Sequence, residues 1–254
     1  FQIIHIKMTK NTKVNAAILI IGNEILSGRT QDLNSNYLAK RLSSIGVLLK
    51  EIRVIPDDKE KIIEVVSLEA QKSDLVFTSG GIGPTHDDIT ADSVAEAFNL
   101  KIEVREDAIN ELAKNYPNGR KDLNEARLRM ARVPEGSDLI KNKISGAPGF
   151  RVNNVYVMAG IPVIFKSMVD SIIENMEHSL PFLSRSLRIY KPESFISEQL
   201  RNISLKYNDV EIGSYPFKEN EKIGVEILVR HTDNEYVQKI LKEIEMVLNV
   251  PETS

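Results

Sequence analysis

The residues whose types and spacing favour chemistry most strongly lie in the stretch TSGGIGPTHDDIT, at positions 78–90. Gly80, Gly81 and Gly83 carry no side chains, so their backbone N–H groups are able to turn toward one point. Loops of this kind bind anions, and phosphates above all. The helix that we predict to begin near Ile89 adds the positive end of its dipole to the same place. The stretch therefore predicts a binding site for a phosphate or pyrophosphate group.

Two aspartates, Asp87 and Asp88, follow these glycines closely. A purely structural interpretation makes the stretch a glycine turn with Asp88 as the N-cap of the next helix, a position that Asp favours. That interpretation leaves Asp87 and the glycines without a role, so we favour a functional site and include the hydroxyls of Ser79 and Thr85 in it. The stretch is not a Walker loop, because no Lys-Ser/Thr pair follows. It is not the dinucleotide fingerprint either, because the final glycine of G-x-G-x-x-G is missing.

A second polar loop, GNEILSG at positions 22–28, follows the first predicted strand. Asn23 and Glu24 place an amide and a carboxylate at the end of that strand. An ordinary polar turn has the same composition, and the sequence alone favours neither interpretation. If the loop is functional, we expect Asn23 and Glu24 to contact a substrate.

A third loop, IPDD, follows the second predicted strand and carries the paired acids Asp57 and Asp58. Pro followed by two Asp is also typical of a helix N-terminus, so this loop by itself favours a structural role. However, ligands of open parallel sheets bind beyond the carboxyl ends of the strands, where the loops meet. Four carboxylates beside a phosphate-binding loop suit a hard divalent cation such as Mg²⁺. We therefore predict a metal site formed by Asp57, Asp58, Asp87 and Asp88.

Alternating strand and helix patterns predict the fold class. Short continuous apolar runs suit strands buried on both faces, and each is followed by apolar residues at helical spacing. This order implies right-handed crossovers and a parallel sheet. We predict an α/β fold, namely a three-layer α/β/α domain with a mostly parallel sheet and a small C-terminal α+β domain of order β-α-β-β-α. The predicted strands are 16–21, 47–55, 74–79, 154–160, 186–190, 209–215 and 222–230. The predicted helices are 31–46, 56–71, 87–98, 164–176, 193–205 and 233–248.

Composition narrows the possible functions. The chain has 254 residues, a formal charge of −3 and no Cys, so disulfides, thiolate nucleophiles and Cys-ligated zinc are excluded. The well-mixed charges give no reason to expect nucleic acid or a membrane as a partner. We predict a leader or flexible segment over 1–15, a first domain over 16–180 and a second domain over 181–254. The charged segment 105–135 is predicted to be helical, with an Arg-rich helix over 126–133 that is solvated or lies at an interface.

Several stretches taken together resemble a known family. IGNEILSG, NSNYLAKRLSSIG, VIPDD, TSGGIGPTHDDIT and MAGIP occur in the order found in the molybdopterin-binding-like domain of the competence/damage-inducible protein A (CinA) family. A similar domain is fused to FAD synthase in eukaryotes. The resemblance covers residues 16–180, and IGSYP at 212–216 extends it into the C-terminal domain. It implies the fold of the molybdopterin adenylyltransferases and assigns substrate contacts to Gly160 and Pro162 of MAGIP.

The resemblance also implies an activity, that of a metal-dependent hydrolase of nucleotide diphosphates of the ADP-ribose or FAD pyrophosphatase type. Asp57 and Asp88 match the acids that hold Mg²⁺ in related adenylyltransferases, so we predict them as the catalytic pair, with Mg²⁺, Mn²⁺ or Co²⁺ as cofactor. Asn23 and Glu24 would then bind a ribose or orient the attacking water. Two alternatives stay open: a molybdopterin-binding or adenylyl-transfer protein, and a non-catalytic nucleotide-binding module.

The sequence also leads to expectations about the oligomeric state, the ligand and the location of the protein. We expect a homodimer, because relatives of this fold usually self-associate, and a small nucleotide or pterin as the ligand. The N-terminal residues do not have the pattern of a secretory signal, so we expect a cytoplasmic protein. The amidohydrolase domain of CinA and the adenylyltransferase half of FAD synthase have no counterpart in these 254 residues. Neither of those two activities is therefore expected. The pair Ala159-Gly160 stands where relatives commonly have Pro-Gly, which bears on how tightly a substrate is held at that loop.

Overall fold

The computed structural model describes residues 14–176 and 181–249. The chain divides into two compact units, Phe1–Ser179 and Leu180–Ser254, which we describe separately. The leader or flexible segment predicted over 1–15 falls mainly outside the described residues, and its last two residues already belong to the first strand, which begins at Val14.

The first unit alternates strands and helices along its described part. Its strands are β1 (Val14–Ile21), β2 (Val47–Ile55), β3 (Leu75–Ser79), β4 (Ile102–Val104), β5 (Arg132–Pro134), β6 (Asp138–Ile140), β7 (Gly149–Val152) and β8 (Val155–Met158). Its helices are α1 (Asn23–Leu26), α2 (Asn34–Ser43), α3 (Lys59–Lys72), α4 (Thr90–Ala97), α5 (Glu106–Ala113), α6 (Glu125–Arg129) and α7 (Pro162–Ile173), with a 3₁₀ helix at Gly119–Asp122.

A six-stranded sheet of order β2-β1-β3-β8-β7-β6 forms the centre of this unit. The pairs β1–β2, β1–β3 and β3–β8 are parallel, whereas β7 and β6 are added antiparallel at one side. Parallel pairing brings the carboxyl ends of β1, β2, β3 and β8 to one edge, which is where ligands bind in open α/β sheets. The predicted mostly parallel sheet is confirmed.

The alternating side chains of β1 explain why helices cover both faces of the sheet. Ile18 and Ile20 pack into one apolar core with residues of α2 and α7, among them Leu38 and Phe165. Leu19 and Ile21 point to the other face and pack into a second core with residues of α3, α4 and α5. A strand buried on both faces needs apolar residues at every position, which the run AAILII supplies. The three-layer α/β/α arrangement is therefore confirmed.

The second unit has the predicted order β-α-β-β-α. Its elements are β9 (Leu183–Ile189), α8 (Glu193–Lys206), β10 (Glu211–Glu219), β11 (Lys222–His231) and α9 (Asn234–Asn249). The three strands form an antiparallel sheet of order β10-β11-β9. Val225, Ile227 and Val229 of the central strand face α8 and α9 and form the core with them. Among the described helices of the whole chain, none is long and apolar enough to cross a membrane.

The segment 105–135 is less helical than predicted. It contains the short helices α5 and α6, the 3₁₀ helix and strand β5, which pairs antiparallel with β4. Strands β4 to β7 were not predicted from the sequence. Three or four residues are too few to show the alternation that marks a strand, and β4 and β5 also pair across about 30 residues of chain.

Candidate functional site

Hydrogen bonds between strand ends bring the three predicted loops to one edge of the sheet. The Gly22 N–H donates to the Ile55 carbonyl oxygen at 3.2 Å, which joins the ends of β1 and β2. The Gly80 N–H donates to the Met158 carbonyl oxygen at 3.0 Å, which joins the ends of β3 and β8. A Cβ atom on Gly80 would lie 2.1 Å from the Ile21 carbonyl oxygen, so β1 and β3 also approach closely here.

Two of the loop glycines adopt backbone conformations that other residues avoid. Gly80 has φ +112° and Gly81 has φ +70°. The Gly81 carbonyl oxygen accepts the Thr90 N–H at 2.9 Å, and a Cβ atom on Gly81 would lie 2.1 Å from Thr90 Oγ1. The close approach of the loop to the first residue of α4 therefore requires glycine.

The backbone N–H groups of the loop are not equally available. We predicted that the N–H groups of Gly80, Gly81 and Gly83 bind phosphate. The structure corrects this prediction for Gly80, because its N–H already donates to the Met158 carbonyl oxygen. The N–H groups of Gly81 and Gly83 donate to no acceptor within the described part of the chain. These two remain candidate phosphate donors.

The loop acids fold back onto their own loop. Asp88 Oδ2 accepts hydrogen bonds from the Thr85 N–H at 2.8 Å and from the Thr85 hydroxyl at 2.6 Å. Asp87 Oδ1 lies 2.5 Å from the same hydroxyl, and this contact is the main reason why the pKa of Asp87 is lowered. A Cβ atom on Gly83 would lie 2.6 Å from Asp88 Oδ2, so the carboxylate packs directly on bare backbone.

Helix α4 begins without a side-chain cap, and its N-cap residue is Ile89. The structural alternative, in which Asp88 caps this helix, is therefore wrong. Thr85, which we predicted to bind phosphate through its hydroxyl, instead directs that hydroxyl to the two acids.

The two acids of the IPDD loop have different hydrogen-bond partners. Asp57 Oδ2 accepts the Asn23 N–H at 2.8 Å, so this carboxylate joins the second strand end to the first. Asp58 is the N-cap of α3, and its Oδ1 accepts the Lys61 N–H at 2.9 Å. The structural interpretation of this loop holds for Asp58. Glu24 turns its carboxylate over Gly22, where a Cβ atom would lie 2.6 Å from it.

No group of three or more His, Asp or Glu side chains in the described ranges is placed to hold a metal ion. Asp57, Asp58, Asp87 and Asp88 thus do not form a ready-made metal cage, because each carboxylate is turned to a backbone or hydroxyl donor of its own. Mg²⁺ in phosphate-binding proteins commonly uses one or two carboxylates together with substrate phosphates and water. The donors fit a cation that arrives with a phosphate ligand, and they do not fit a permanent protein-bound metal.

Asn34, which the sequence did not single out, ties two strand ends together. It is 5% exposed, and its Nδ2 donates to Ser79 Oγ at 2.8 Å and to the Gly160 carbonyl oxygen at 2.7 Å. Its Oδ1 is buried without a hydrogen-bond partner in the described part of the chain. Ser79, predicted to bind phosphate, is 2% exposed and lies beneath the site rather than on it. Gly160 is exposed, and the half-buried Pro162 is the first residue of α7.

Arg129 is the second residue that the sequence did not assign to the site. It lies at the end of α6, and its Nη2 donates to the Thr85 carbonyl oxygen at 3.2 Å. The Arg-rich helix was predicted to be solvated or at an interface, whereas this arginine reaches the glycine loop. The neighbouring Arg132 instead pairs with Asp92 of α4. Nothing in the sequence distinguishes the two arginines, because α6 meets the loop only in the folded unit.

Comparison with known proteins gives the same two-part division. The family described as "Probable molybdopterin binding domain" matches residues 17–183, and the family described as "FAD synthase, middle domain" matches residues 181–251. A protein of Archaeoglobus fulgidus is 36% identical over 234 residues, which cover 91% of this chain and 97% of that protein. A "Probable FAD synthase" of Caenorhabditis elegans is 31% identical over 257 residues, which cover 92% of this chain and 50% of that protein.

A solved structure agrees with these sequence matches. The crystal structure of CinA from Thermoplasma acidophilum, whose function is described as unknown, shares 32% identity with the chain at a TM-score of 0.59. It covers 64% of this chain and 98% of its own length. The resemblance to CinA and to FAD synthase is thus confirmed. The chain belongs to the family of probable molybdopterin binding domains, and it carries a second domain similar to the middle domain of FAD synthase.

Proposed function

We propose that the first unit hydrolyses the pyrophosphate bond of a nucleotide diphosphate such as ADP-ribose or FAD, with the help of Mg²⁺, Mn²⁺ or Co²⁺. The observation that carries the proposal is the packing of the Asp88 carboxylate onto the bare backbone of Gly83 at the carboxyl edge of a parallel sheet. This contact combines anion-binding backbone with a carboxylate at one point. Few ligands other than a metal-bound phosphate need both.

The diphosphate would be bound by backbone donors. The N–H groups of Gly81 and Gly83 have no acceptor among the described residues, and the N-terminus of α4 follows in the chain. The Gly81 carbonyl is bonded to the Thr90 N–H, which fixes the loop before a ligand arrives. A loop held in this way binds an anion at a lower cost in conformational entropy.

Asp57 and Asp88 are the acids that we assign to the cation, because they come from two different strand ends. A divalent cation held there would polarise the phosphorus and lower the pKa of an attacking water. Asn23 and Glu24, at the end of β1, are assigned to orient the ribose or that water. In the reaction the water oxygen bonds to one phosphorus and the bridging oxygen leaves with the other. The two protons of the water end on the products or in solvent.

A second candidate function is molybdopterin binding with adenylyl transfer. It is supported by the match of residues 17–183 to the family of probable molybdopterin binding domains. The same glycine loop would then hold the phosphate of the pterin. Adenylylated molybdopterin formed from MgATP and molybdopterin would favour this function, and AMP released from ADP-ribose or FAD would favour the first one.

The test compares wild type with Asp88→Asn, which keeps an oxygen acceptor for Thr85 and removes the charge. Asp122→Asn is a matched control, since Asp122 also accepts a backbone N–H and a side-chain donor, both from Asn118, and lies outside the site. We expect Asp88→Asn to lose at least about 100-fold in turnover, typical for the loss of a group that stabilises the transition state. The control should stay near wild type. Full turnover by Asp88→Asn would refute the assignment.

A further inference from the structure

The guanidinium of Arg129 is anchored to the glycine loop by one hydrogen bond and has donors left over. Its Nη2 donates to the Thr85 carbonyl oxygen, and its Nε is buried without a hydrogen-bond partner within the described residues. An Arg side chain has five N–H donors in a planar fork. The Nη1 N–H groups have no partner among the described residues, and the unpaired Nε is a buried donor, which is costly.

The charge of Arg129 is also not neutralised within the described part of the chain. No carboxylate there lies within ion-pair distance of it, although Arg132 on the same segment pairs with Asp92. Arg127 of the same helix is engaged elsewhere, because its Nη1 donates to the Asp122 carbonyl oxygen and its guanidinium lies 4.4 Å from the ring centre of Tyr116. Of the two arginines of α6, only Arg129 turns toward the loop.

The acids of the glycine loop make a nearby positive charge necessary for the binding of an anion. Asp87 is exposed and Asp88 half-buried, and both carboxylates accept hydrogen bonds from Thr85. Two carboxylates repel a diphosphate, and a single divalent cation does not cancel both the acids and the ligand. Thr85 donates to Asp88 through its N–H and hydroxyl, and its carbonyl oxygen accepts from Arg129. The guanidinium of Arg129 and the loop acid Asp88 are therefore bonded to the same residue.

We propose that Arg129 binds the phosphate oxygens of the ligand held by the glycine loop, with one Nη2 N–H kept on the Thr85 carbonyl and the N–H groups of Nη1 directed to the anion. Arg suits this task because its fork matches two phosphate oxygens at once. This proposal adds a ligand-binding residue to the proposed function. It depends on that function only for the assumption that the ligand carries a diphosphate. No step of hydrolysis is required for it.

The test measures the binding of inorganic pyrophosphate by calorimetry, without and with Mn²⁺, for Arg129→Gln, Arg129→Lys and the control Arg127→Gln. We expect Arg129→Gln to weaken binding about 10- to 100-fold, the usual range for a lost hydrogen bond to a charged group. Arg129→Lys should recover part of the loss, because Lys supplies a point charge but no fork. Arg127→Gln should bind as wild type. Unchanged pyrophosphate affinity in Arg129→Gln would overturn the proposal, and so would a wild type that binds no pyrophosphate under either condition.

The binding of Mn²⁺ alone separates an electrostatic role from a structural one. Removal of a positive charge beside acids leaves cation affinity equal or higher. A collapse of the loop would weaken cation and anion binding together, and that result would contradict the proposal. The two proposals also fail separately. If wild type binds pyrophosphate through Arg129 but cleaves no nucleotide, the hydrolase is refuted and the anion site stands.

Discussion

Replacement of Gly81 by Ala is the perturbation whose cost is best defined by the structure. Gly81 has φ +70°, a conformation that costs a residue with a Cβ about 1–2 kcal/mol. The new Cβ would also lie 2.1 Å from Thr90 Oγ1, and Thr90 is fully buried and bonded to the Gly81 carbonyl. Such overpacking costs about 1–3 kcal/mol. We therefore expect Gly81→Ala to lower the free energy of unfolding of the first unit by about 2–5 kcal/mol.

Gly28→Ala separates these two contributions. Gly28 has nearly the same φ, +71°, but a Cβ there would have no atom within 4 Å. It should therefore cost only the conformational part, about 1–2 kcal/mol. In the double variant Gly81→Ala/Thr90→Ala, the clashing oxygen is removed, so the combined loss should be smaller than the sum of the two single losses. Urea unfolding measures all of these variants. A Gly81→Ala variant no less stable than Gly28→Ala would refute the close contact of the loop with α4.

Three further changes probe the contacts around the site and in the second unit. Asp58→Ala should lower the free energy of unfolding by about 1 kcal/mol through the lost helix cap, whereas Asp58→Asn, which also caps well, should cost little. A large loss of substrate affinity in Asp58→Asn would contradict the purely structural role and indicate that Asp58 binds the metal. Asn34→Ala should cost about 1–3 kcal/mol in urea unfolding, because Ser79 Oγ loses its donor in the interior, and no loss would contradict that bond. In the second unit, the hydrogen bond from Lys206 lowers the pKa of Glu243, so its stabilising contribution is present above the unfolded pKa and is lost as the pH falls through the folded one. Glu243→Gln should therefore be less stable than wild type at pH 7, and the difference should close in acid; a gap that persists in acid would count against this bond.

The large elements of the fold were predictable because their burial leaves a pattern in the sequence. Residues 16–21, which form most of β1, are apolar at every position because both faces of this strand are covered. Strand β2 was predicted over 47–55, the range that the structure shows. The order β-α-β-β-α of the second unit was likewise predictable from alternation and helical spacing. Strands β4 to β7 were not, because each has only three or four residues, too few to show a pattern, and β4 and β5 in addition pair across about 30 residues of chain.

For the candidate site, the sequence indicated the loops but not the partner of each group. Glycines and acids at strand ends mark the edge of the sheet, and the structure does bring those loops together. Whether a loop N–H is free depends on the neighbouring strand. The Gly80 N–H, for example, donates to the last residue of β8. The roles of Asn34 and Arg129 depend on contacts across 45 and 44 residues of chain, and no local pattern encodes such contacts.

The central claim, cleavage of a pyrophosphate bond at the glycine loop, is tested most directly by product analysis. Wild type and Asp88→Asn would be incubated with ADP-ribose and FAD in the presence of Mg²⁺, Mn²⁺ or Co²⁺, and the products separated by chromatography. The account predicts AMP together with ribose 5-phosphate or FMN from wild type, and a loss of these products in the variant. Folded wild-type protein that releases no AMP from either nucleotide with any of the three metals would contradict it.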